Sequence, residues 1–462
     1  MIKSKHVLSV FSLVMINVIA VDSLRTLAIT ATLGLPLVVY YLIAAVVFFV
    51  PVALVAAELA TAYPHKGGIY IWVREAFGIR IAFMSIWLQW IYNVVWYPLI
   101  LAFIAATFAY LISPALANNN TYLLLTMLVL FWSFTLLNCF GMKISSMISV
   151  LGAVFGTLLP MIGIAILGLV WLWQGHPIEI NQNTSFWPDF SCFGNFSIFS
   201  AVLFGLLGME MSAVHADEVR DPQRDYPRAL LYSTIIIFAT LVIGSLAIIM
   251  IVPENKLSVV SGAIDAYALF FKAYHMSWML PITAMFIILG GLSGVSAWLI
   301  GPTKGLLVAA HDRCLPEWFT HVNRHGAPVK ILVTQGILFT ILSSLFLLVD
   351  SLNAAYVLLN NMCAQLALLV YVLMFAAAIK LRYTQPKQPR AYKIPGGKIG
   401  IWIVAGTGLF CCIFTIILSF VPPTQIPIDN IVLFEFCLFA SLIFFVMIPW
   451  FISRQYIKKS RK

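Results

Sequence analysis

The chain has 462 residues, of which 62% are hydrophobic and only 10% charged, with a net charge of +10 and a mean hydropathy of +0.99. Soluble domains carry about 25% charged residues, so a soluble globular fold is excluded and the apolar surface must meet lipid. The seven cysteines show no Cys-x-x-Cys or Cys/His spacing that would suggest zinc. There is no Gly-x-Ser-x-Gly and no phosphate-binding loop, so neither an enzyme nor a bound cofactor is expected.

A helix needs about 20 apolar residues to cross a bilayer. Read in chain order, twelve stretches qualify: 8–33, 36–62, 80–112, 121–142, 146–174, 196–216, 228–252, 276–309, 329–349, 352–381, 399–420 and 428–453. The first follows Lys3 and Lys5 as a signal peptide would. It contains Asp22 and Arg25, however, and lacks a small-residue cleavage pattern, so it reads as a retained span. Only helices satisfy every backbone group inside such segments, which makes the expected fold an all-α polytopic membrane bundle. With the N-terminus inside, all of the 27 Lys and Arg except Arg25, Lys256 and Lys272 fall on cytoplasmic segments, including the C-terminal tail. That asymmetry is the positive-inside pattern. It places both termini in the cytoplasm and supports the count of twelve, because one missed span would invert everything after it. The net charge therefore reflects topology and anionic lipid rather than a nucleic-acid partner.

Two spans are interrupted where they should be plain. The first carries Asn17 and then Val21-Asp22-Ser23-Leu24-Arg25-Thr26; the sixth carries Gly205-Leu206-Leu207-Gly208-Met209-Glu210. They are the opening helices of two successive five-span units, 8–174 and 196–381, followed by two extra helices over 399–453, a spacing that suits a five-plus-five inverted repeat. Unwinding frees amides at one helix start and carbonyls at another helix end. Amides and the positive dipole end attract a carboxylate, and carbonyls attract an ammonium, so an amino-acid-like zwitterion fits. Gly205 and Gly208 remove side chains where a solute would approach the backbone; close helix packing is the alternative reading.

Charges inside spans cost roughly 2.5–3.5 kcal/mol each on insertion scales and normally have a partner or a role. Asp22 and Arg25 are three apart, and two readings stand open: mutual neutralisation on one helical face, or contact with a solute or proton. Glu210 has no cation beside it in sequence and is a candidate for coupling or gating. Glu58, near the inner end of the second span, reads as a helix-end anchor, and Glu435 as structural. In the third span Trp87, Trp90, Tyr92, Trp96 and Tyr97 surround Asn93 and end at Pro98. Such rings suit either a solute-facing wall or lipid packing.

Four stretches carry a family resemblance. The first is Pro51-Val52-Ala53-Leu54-Val55-Ala56-Ala57-Glu58-Leu59-Ala60-Thr61, followed by Gly67-Gly68-Ile69-Tyr70-Ile71-Trp72-Val73. The second runs from Phe186-Trp187-Pro188-Asp189-Phe190 through Gly208-Met209-Glu210-Met211-Ser212-Ala213 to Glu218-Val219-Arg220-Asp221-Pro222-Gln223-Arg224-Asp225-Tyr226-Pro227. The third is Trp298-Leu299-Ile300-Gly301-Pro302-Thr303-Lys304-Gly305, continuing to Asn323-Arg324-His325-Gly326-Ala327-Pro328, and the fourth is Ile394-Pro395-Gly396-Gly397-Lys398. In these the chain resembles the amino acid–polyamine–organocation transporters, and within them the bacterial glutamate/GABA antiporters. The resemblance implies a LeuT-like five-plus-five fold with two additional helices, alternating access without ATP, and residence in a bacterial inner membrane. It implies gating and coupling by Glu210, an occluding ring at Phe204, a gating ring at Trp298 and a substrate contact near Asn93. Many members have a glycine-rich break in the first span; here Ser23, Arg25 or Thr26 would take its place at the substrate carboxylate. The antiporters also carry a long C-terminal plug that closes above acid pH; with this chain ending at Lys462, activity is expected to persist at neutral pH. The expected function is amino-acid exchange, with proton-coupled uptake of an amino acid or polyamine as the alternative and a transport-dead nutrient sensor as a remote one.

Overall fold

The computed structural model describes residues 9–63, 68–139, 152, 154–180, 185–210, 219, 221–348 and 351–459. Among them all extended regular structure is helical. In chain order the helices used below are α1 (Val10–Val21), α2 (Leu24–Ala31), α3 (Leu37–Ala62), α4 (Ile69–Phe77), α5 (Ile79–Ala109), α6 (Asn120–Cys139), α7 (Val154–Trp173), α8 (Gly194–Gly205), α9 (Pro222–Ile251), α10 (Gly262–Ala273), α11 (Met279–His311), α12 (Val329–Leu348), α13 (Leu352–Thr384), α14 (Gly397–Leu418) and α15 (Ile431–Lys459). Ten helices among the described residues are long and apolar enough to span a membrane, or eleven when α1 and α2 are taken as one bent span. The chain is a multi-pass membrane protein. Of the twelve expected stretches, the sixth is described only as far as Glu210, as α8 and the turn after it. Its remainder, with Met211, Ser212, Ala213, Glu218 and Arg220 of the family-like stretch, lies outside the described residues.

Burial separates the centre of the bundle from its rim. The most apolar window of α5 is 89% buried and that of α13 is 78% buried, against 17% for α15. The physical reason is visible in the side chains. α5 places Trp87, Trp90, Tyr92 and Tyr97 in the interior, where each N–H or O–H needs a partner. Trp87 Nε1 donates to the Phe445 carbonyl (3.2 Å), Trp90 Nε1 to Gln335 Oε1 (3.1 Å) and Tyr97 Oη to the Trp298 carbonyl (3.1 Å). The aromatic cluster read in the third span thus ties α5 to α15, α12 and α11 rather than facing lipid. α15 instead exposes Phe436, Phe439, Phe444 and Phe451, as a lipid-facing helix does.

The C-terminal end of α3 is held by a long-range clamp. Glu58 is 3% exposed; its Oε2 lies against Arg382 Nη2 and also accepts from the Ile394 amide (2.8 Å), while Oε1 lies 3.2 Å from Arg390 Nε. Around it, Gln388 Nε2 donates to the Ala62 carbonyl (2.8 Å) and the Tyr392 amide to Thr61 Oγ1 (3.2 Å). The segment after α13 is thereby fastened to the end of α3, and Glu58 is the anchor that the sequence suggested.

Candidate functional site

α1 ends at Val21 and α2 begins at Leu24, with a bend of 55° between them. Asp22 (φ −63°, ψ 129°) and Ser23 (φ −150°, ψ 124°) are extended. Short polar side chains of this kind compete for backbone hydrogen bonds and favour helix ends over helix interiors. Ser23 stands at the N-cap of α2 without a side-chain capping bond, and the Thr26 amide donates to the Ser23 carbonyl (3.0 Å), so the Leu24 and Arg25 amides are the ones a further acceptor could meet. The second interruption follows Gly205, where α8 stops and residues 206–209 turn. Gly208 has φ +117°, a conformation that side chains oppose. The two breaks touch. A methyl group on Gly208 would fall 2.9 Å from the Ala20 carbonyl oxygen, and one on Gly205 would run into the Thr26 side chain. The positive end of α2 therefore lies against the carbonyl end of α8, which is the electrostatic arrangement a zwitterion needs.

Arg25 stands in the first turn of α2 and is 4% exposed. Its Nη1 donates to Tyr356 Oη on α13 (3.0 Å), and its guanidinium carbon lies 5.2 Å from the centre of the Phe204 ring. Nε has no hydrogen-bond partner, and no carboxylate pairs with this cation among the described residues. Of the two readings open for Asp22 and Arg25, mutual neutralisation is not what forms. Spacing of three places side chains on one face only along a continuous helix, and this helix is interrupted between them. Asp22 turns to α9, where Thr240 Oγ1 lies 3.1 and 3.0 Å from its two carboxylate oxygens. It is the middle rung of a polar ladder that also pairs Asn17 Nδ2 with Ser233 Oγ (3.0 Å) and Thr30 Oγ1 with Ser245 Oγ (2.9 Å).

Glu210 follows the second break and is 4% exposed. Tyr371 Oη donates to its Oε2 (2.6 Å) and accepts from the Gly208 amide (3.3 Å), so one phenol bridges the turn and the carboxylate. Glu210 Oε1 is left without a partner, as is Thr26 Oγ1 beside Gly205. Unpaired buried polar atoms are uncommon in folded proteins; Arg25 Nε, Thr26 Oγ1 and Glu210 Oε1 are three that lie at the breaks, and others, such as Gln335 Nε2 and Thr415 Oγ1, lie elsewhere in the bundle.

Two sequence-predicted residues sit apart from this centre. Asn93 Nδ2 donates to the Gln89 carbonyl of its own helix (2.7 Å). The Trp298 ring packs 6.2 Å from that of Trp96, and the Trp298 carbonyl accepts from Tyr97. Trp298 lies at the α5–α11 contact and Asn93 one turn from Trp96 and Tyr97 on α5, and neither bonds to either break among the described residues. Val21, at 4% exposure, ends α1 and adds only its backbone to the first break. What sequence reasoning missed is α13. Tyr356 holds Arg25, Tyr371 holds Glu210, Cys363 Sγ lies 3.0 Å from the Tyr92 carbonyl, and Asn360 is 1% exposed with neither amide atom paired. The available signal was Asn360-Asn361 in the middle of an apolar stretch, since polar side chains at membrane depth tend to be functional. Among the described residues no group of three His, Cys, Asp or Glu is arranged to hold a metal ion.

Comparison with known proteins finds transporters. The chain is 64% identical over 453 residues to an uncharacterized transporter of Legionella pneumophila, covering 98% of each. It is 29% identical over 435 residues to a glutamate/gamma-aminobutyrate antiporter of Lactococcus lactis, covering 93% of this chain and 86% of that one. With a probable agmatine/putrescine antiporter of Lactococcus lactis it shares 24% identity over 423 residues, 90% of this chain and 89% of the other. The sequence model described as "Amino acid permease" matches residues 6–451, nearly the whole length, and the chain belongs to that family of membrane transporters.

Proposed function

We propose that this protein is a secondary active antiporter that exchanges an amino acid for a related amino acid or amine by alternating access. One observation carries the reading: a buried guanidinium, Arg25, stands at the start of α2 with no anion of its own among the described residues and lies against Phe204 at the carbonyl end of α8. A cation kept out of water without a counter-charge is costly, and a solute carboxylate would satisfy it. The ammonium of the same solute would meet the freed carbonyls after Gly205. Thr26 and Ser23 border the carboxylate end, Phe204 covers the guanidinium, and Gly208 gives the backbone room. Glu210, tied to the same turn through Tyr371, is the coupling residue, and Trp298 acts from the α5–α11 side as a gate, with Asn93 beside it. The distant likeness to antiporters of amino acids and amines supports exchange.

The architecture we infer is twelve spans in a five-plus-five inverted repeat with two added helices, both termini facing the cytoplasm of a bacterial inner membrane. Support comes from corresponding features of the two halves. Each opens on a broken span, and each has a short helix, α4 or α10, between its second and third spans. Counterflow of radiolabelled amino acids into proteoliposomes loaded with unlabelled amino acid or amine tests the function; flux is expected for at least one amino acid, and no uptake of any would sink the proposal. Proton-coupled uptake is the second reading, kept because Glu210 has a free oxygen. An imposed pH gradient separates the two, because uptake by symport needs no internal counter-substrate.

A further inference from the structure

Resting on the transport reading above, we infer that Asn360 is a specificity-determining contact for the solute, its Nδ2 donating to the solute carboxylate and its Oδ1 accepting from the ammonium. The argument begins with an anomaly. Asn360 is 1% exposed, and neither its amide nitrogen nor its carbonyl oxygen has a hydrogen-bond partner. A buried primary amide offers two donors and an acceptor, and leaving all of them unmet is a strong departure from normal practice.

Position on the helix says what the open valences face. Successive residues of α13 are rotated by about 100°. On that wheel Asn360 falls between Cys363 and Tyr356 on one side and Tyr371 on the other. Two of the three are residues through which α13 meets the breaks, Tyr356 bonding Arg25 and Tyr371 bonding Glu210 and the Gly208 amide, while Cys363 reaches the Tyr92 carbonyl on α5. Asn360 is also one turn from Tyr356 along the axis, so it sits next to the phenol that holds the guanidinium. The neighbours on the same arc, Ala364 and Ala367, are small and leave the helix surface low.

The next residue provides an internal contrast. Asn361, rotated away from that arc, is fully engaged: Ser200 Oγ donates to its Oδ1 (2.8 Å) and its Nδ2 donates to the Ser419 carbonyl (2.9 Å). An asparagine on this helix is thus satisfied where it packs on neighbouring helices and unsatisfied where it looks toward the breaks. An amide is also the one uncharged side chain that matches both ends of a zwitterion at once, which a hydroxyl of similar size does less completely. Arg25 alone would hold any carboxylate; Asn360 beside it reads whether an ammonium accompanies the carboxylate.

The test uses the full chain in proteoliposomes, with the amino acid giving the highest wild-type counterflow and the amine formed by its decarboxylation. Asn360→Leu keeps the branched shape, at a somewhat larger volume, and removes every side-chain hydrogen bond; half-saturation for the amino acid should rise about tenfold. The thermal unfolding temperature of the empty protein should stay level or rise, because an orphaned polar group has been replaced by an apolar one. Asn360→Asp keeps an acceptor and sets a negative charge against the carboxylate, so the preference for amino acid over amine should fall about tenfold. Gln365→Leu is the control. Gln365 is likewise buried without a partner but lies on the opposite side of the helix from Tyr356, and its removal should leave half-saturation unchanged. A shift below threefold in both Asn360 variants overturns the inference, and so does an equal shift in Gln365→Leu. Should Asn360→Leu fail to assemble, the solute preference of Asn360→Asp decides. Wild-type protein that moves no amino acid strikes the transport reading itself, so the two failures are distinguishable.

Discussion

Glu58 at the end of α3 and Arg25 at the start of α2 are equally buried, at 3% and 4% exposure, yet they use their surroundings in opposite ways. Glu58 takes contacts from Arg382, Arg390 and the Ile394 amide, so both of its oxygens are engaged. Arg25 has one phenol and one ring face, an idle Nε and no anion among the described residues. Charges taken out of water are tolerated when their partners come from the protein or arrive with a ligand. The charges of the clamp complete one another, although Arg382 Nε and Nη1 make no hydrogen bond, whereas the cation at the break has no counter-charge among the described residues. Neither burial nor open valences alone, then, separate a structural charge from a functional one; the missing counter-charge does.

The largest expected effect is on the complete side of this comparison. Glu58→Ala leaves Arg382 and Arg390 together without their carboxylate, and breaking a buried pair from one side costs about 3–5 kcal/mol. It should appear as a marked fall in thermal or denaturant resistance of the detergent-solubilised protein; a loss under about 1 kcal/mol would mean that the clamp is not what holds the segment after α13. Arg25→Leu should do the reverse. Folding stability should hold or improve, because an unpaired cation is replaced by an apolar side chain. Transport should fall about 100-fold in kcat/KM, about 3 kcal/mol of lost substrate contact. An unchanged half-saturation concentration in that variant would remove Arg25 from the binding site.

The sequence was informative wherever the signal was local. Glycines at 205 and 208 and the Asp22-Ser23 pair mark interruptions because they weaken helix by their own chemistry, and both breaks formed there. Charge in an apolar stretch flagged Arg25, Glu210 and Glu58 for the same reason. What stayed hidden was direction and distance. Asp22 and Arg25 look like an i, i+3 pair, but the extended residues between α1 and α2 send one to α9 and the other to α13. The arginines that hold Glu58 lie more than 300 residues further along the chain, and no spacing rule reaches that far. The face of α13 was missed because tyrosines at 356 and 371 in a long apolar helix carry no local signal of what they bond. Only their bonds to Arg25 and Glu210 reveal that they are part of the site.

Glu210 is the intermediate case and gives the smallest effect on folding. One oxygen receives the Tyr371 hydroxyl at 2.6 Å and the other has nothing. In Glu210→Gln the amide oxygen can take over the Tyr371 bond, and the NH2 group occupies the side that was already unpaired. Shape is preserved and no new charge is stranded, so the loss of stability should be under about 1 kcal/mol, near the net worth of a single hydrogen bond. What the amide cannot do is change its protonation state between the outward-open and inward-open forms. If Glu210 couples exchange to protons, the variant should still bind its amino acid with near-normal half-saturation while flux ceases to respond to an imposed pH gradient. A variant that unfolds as readily as Glu58→Ala would instead place Glu210 among the clamp residues. One that keeps its full response to the gradient would leave proton coupling to some other group.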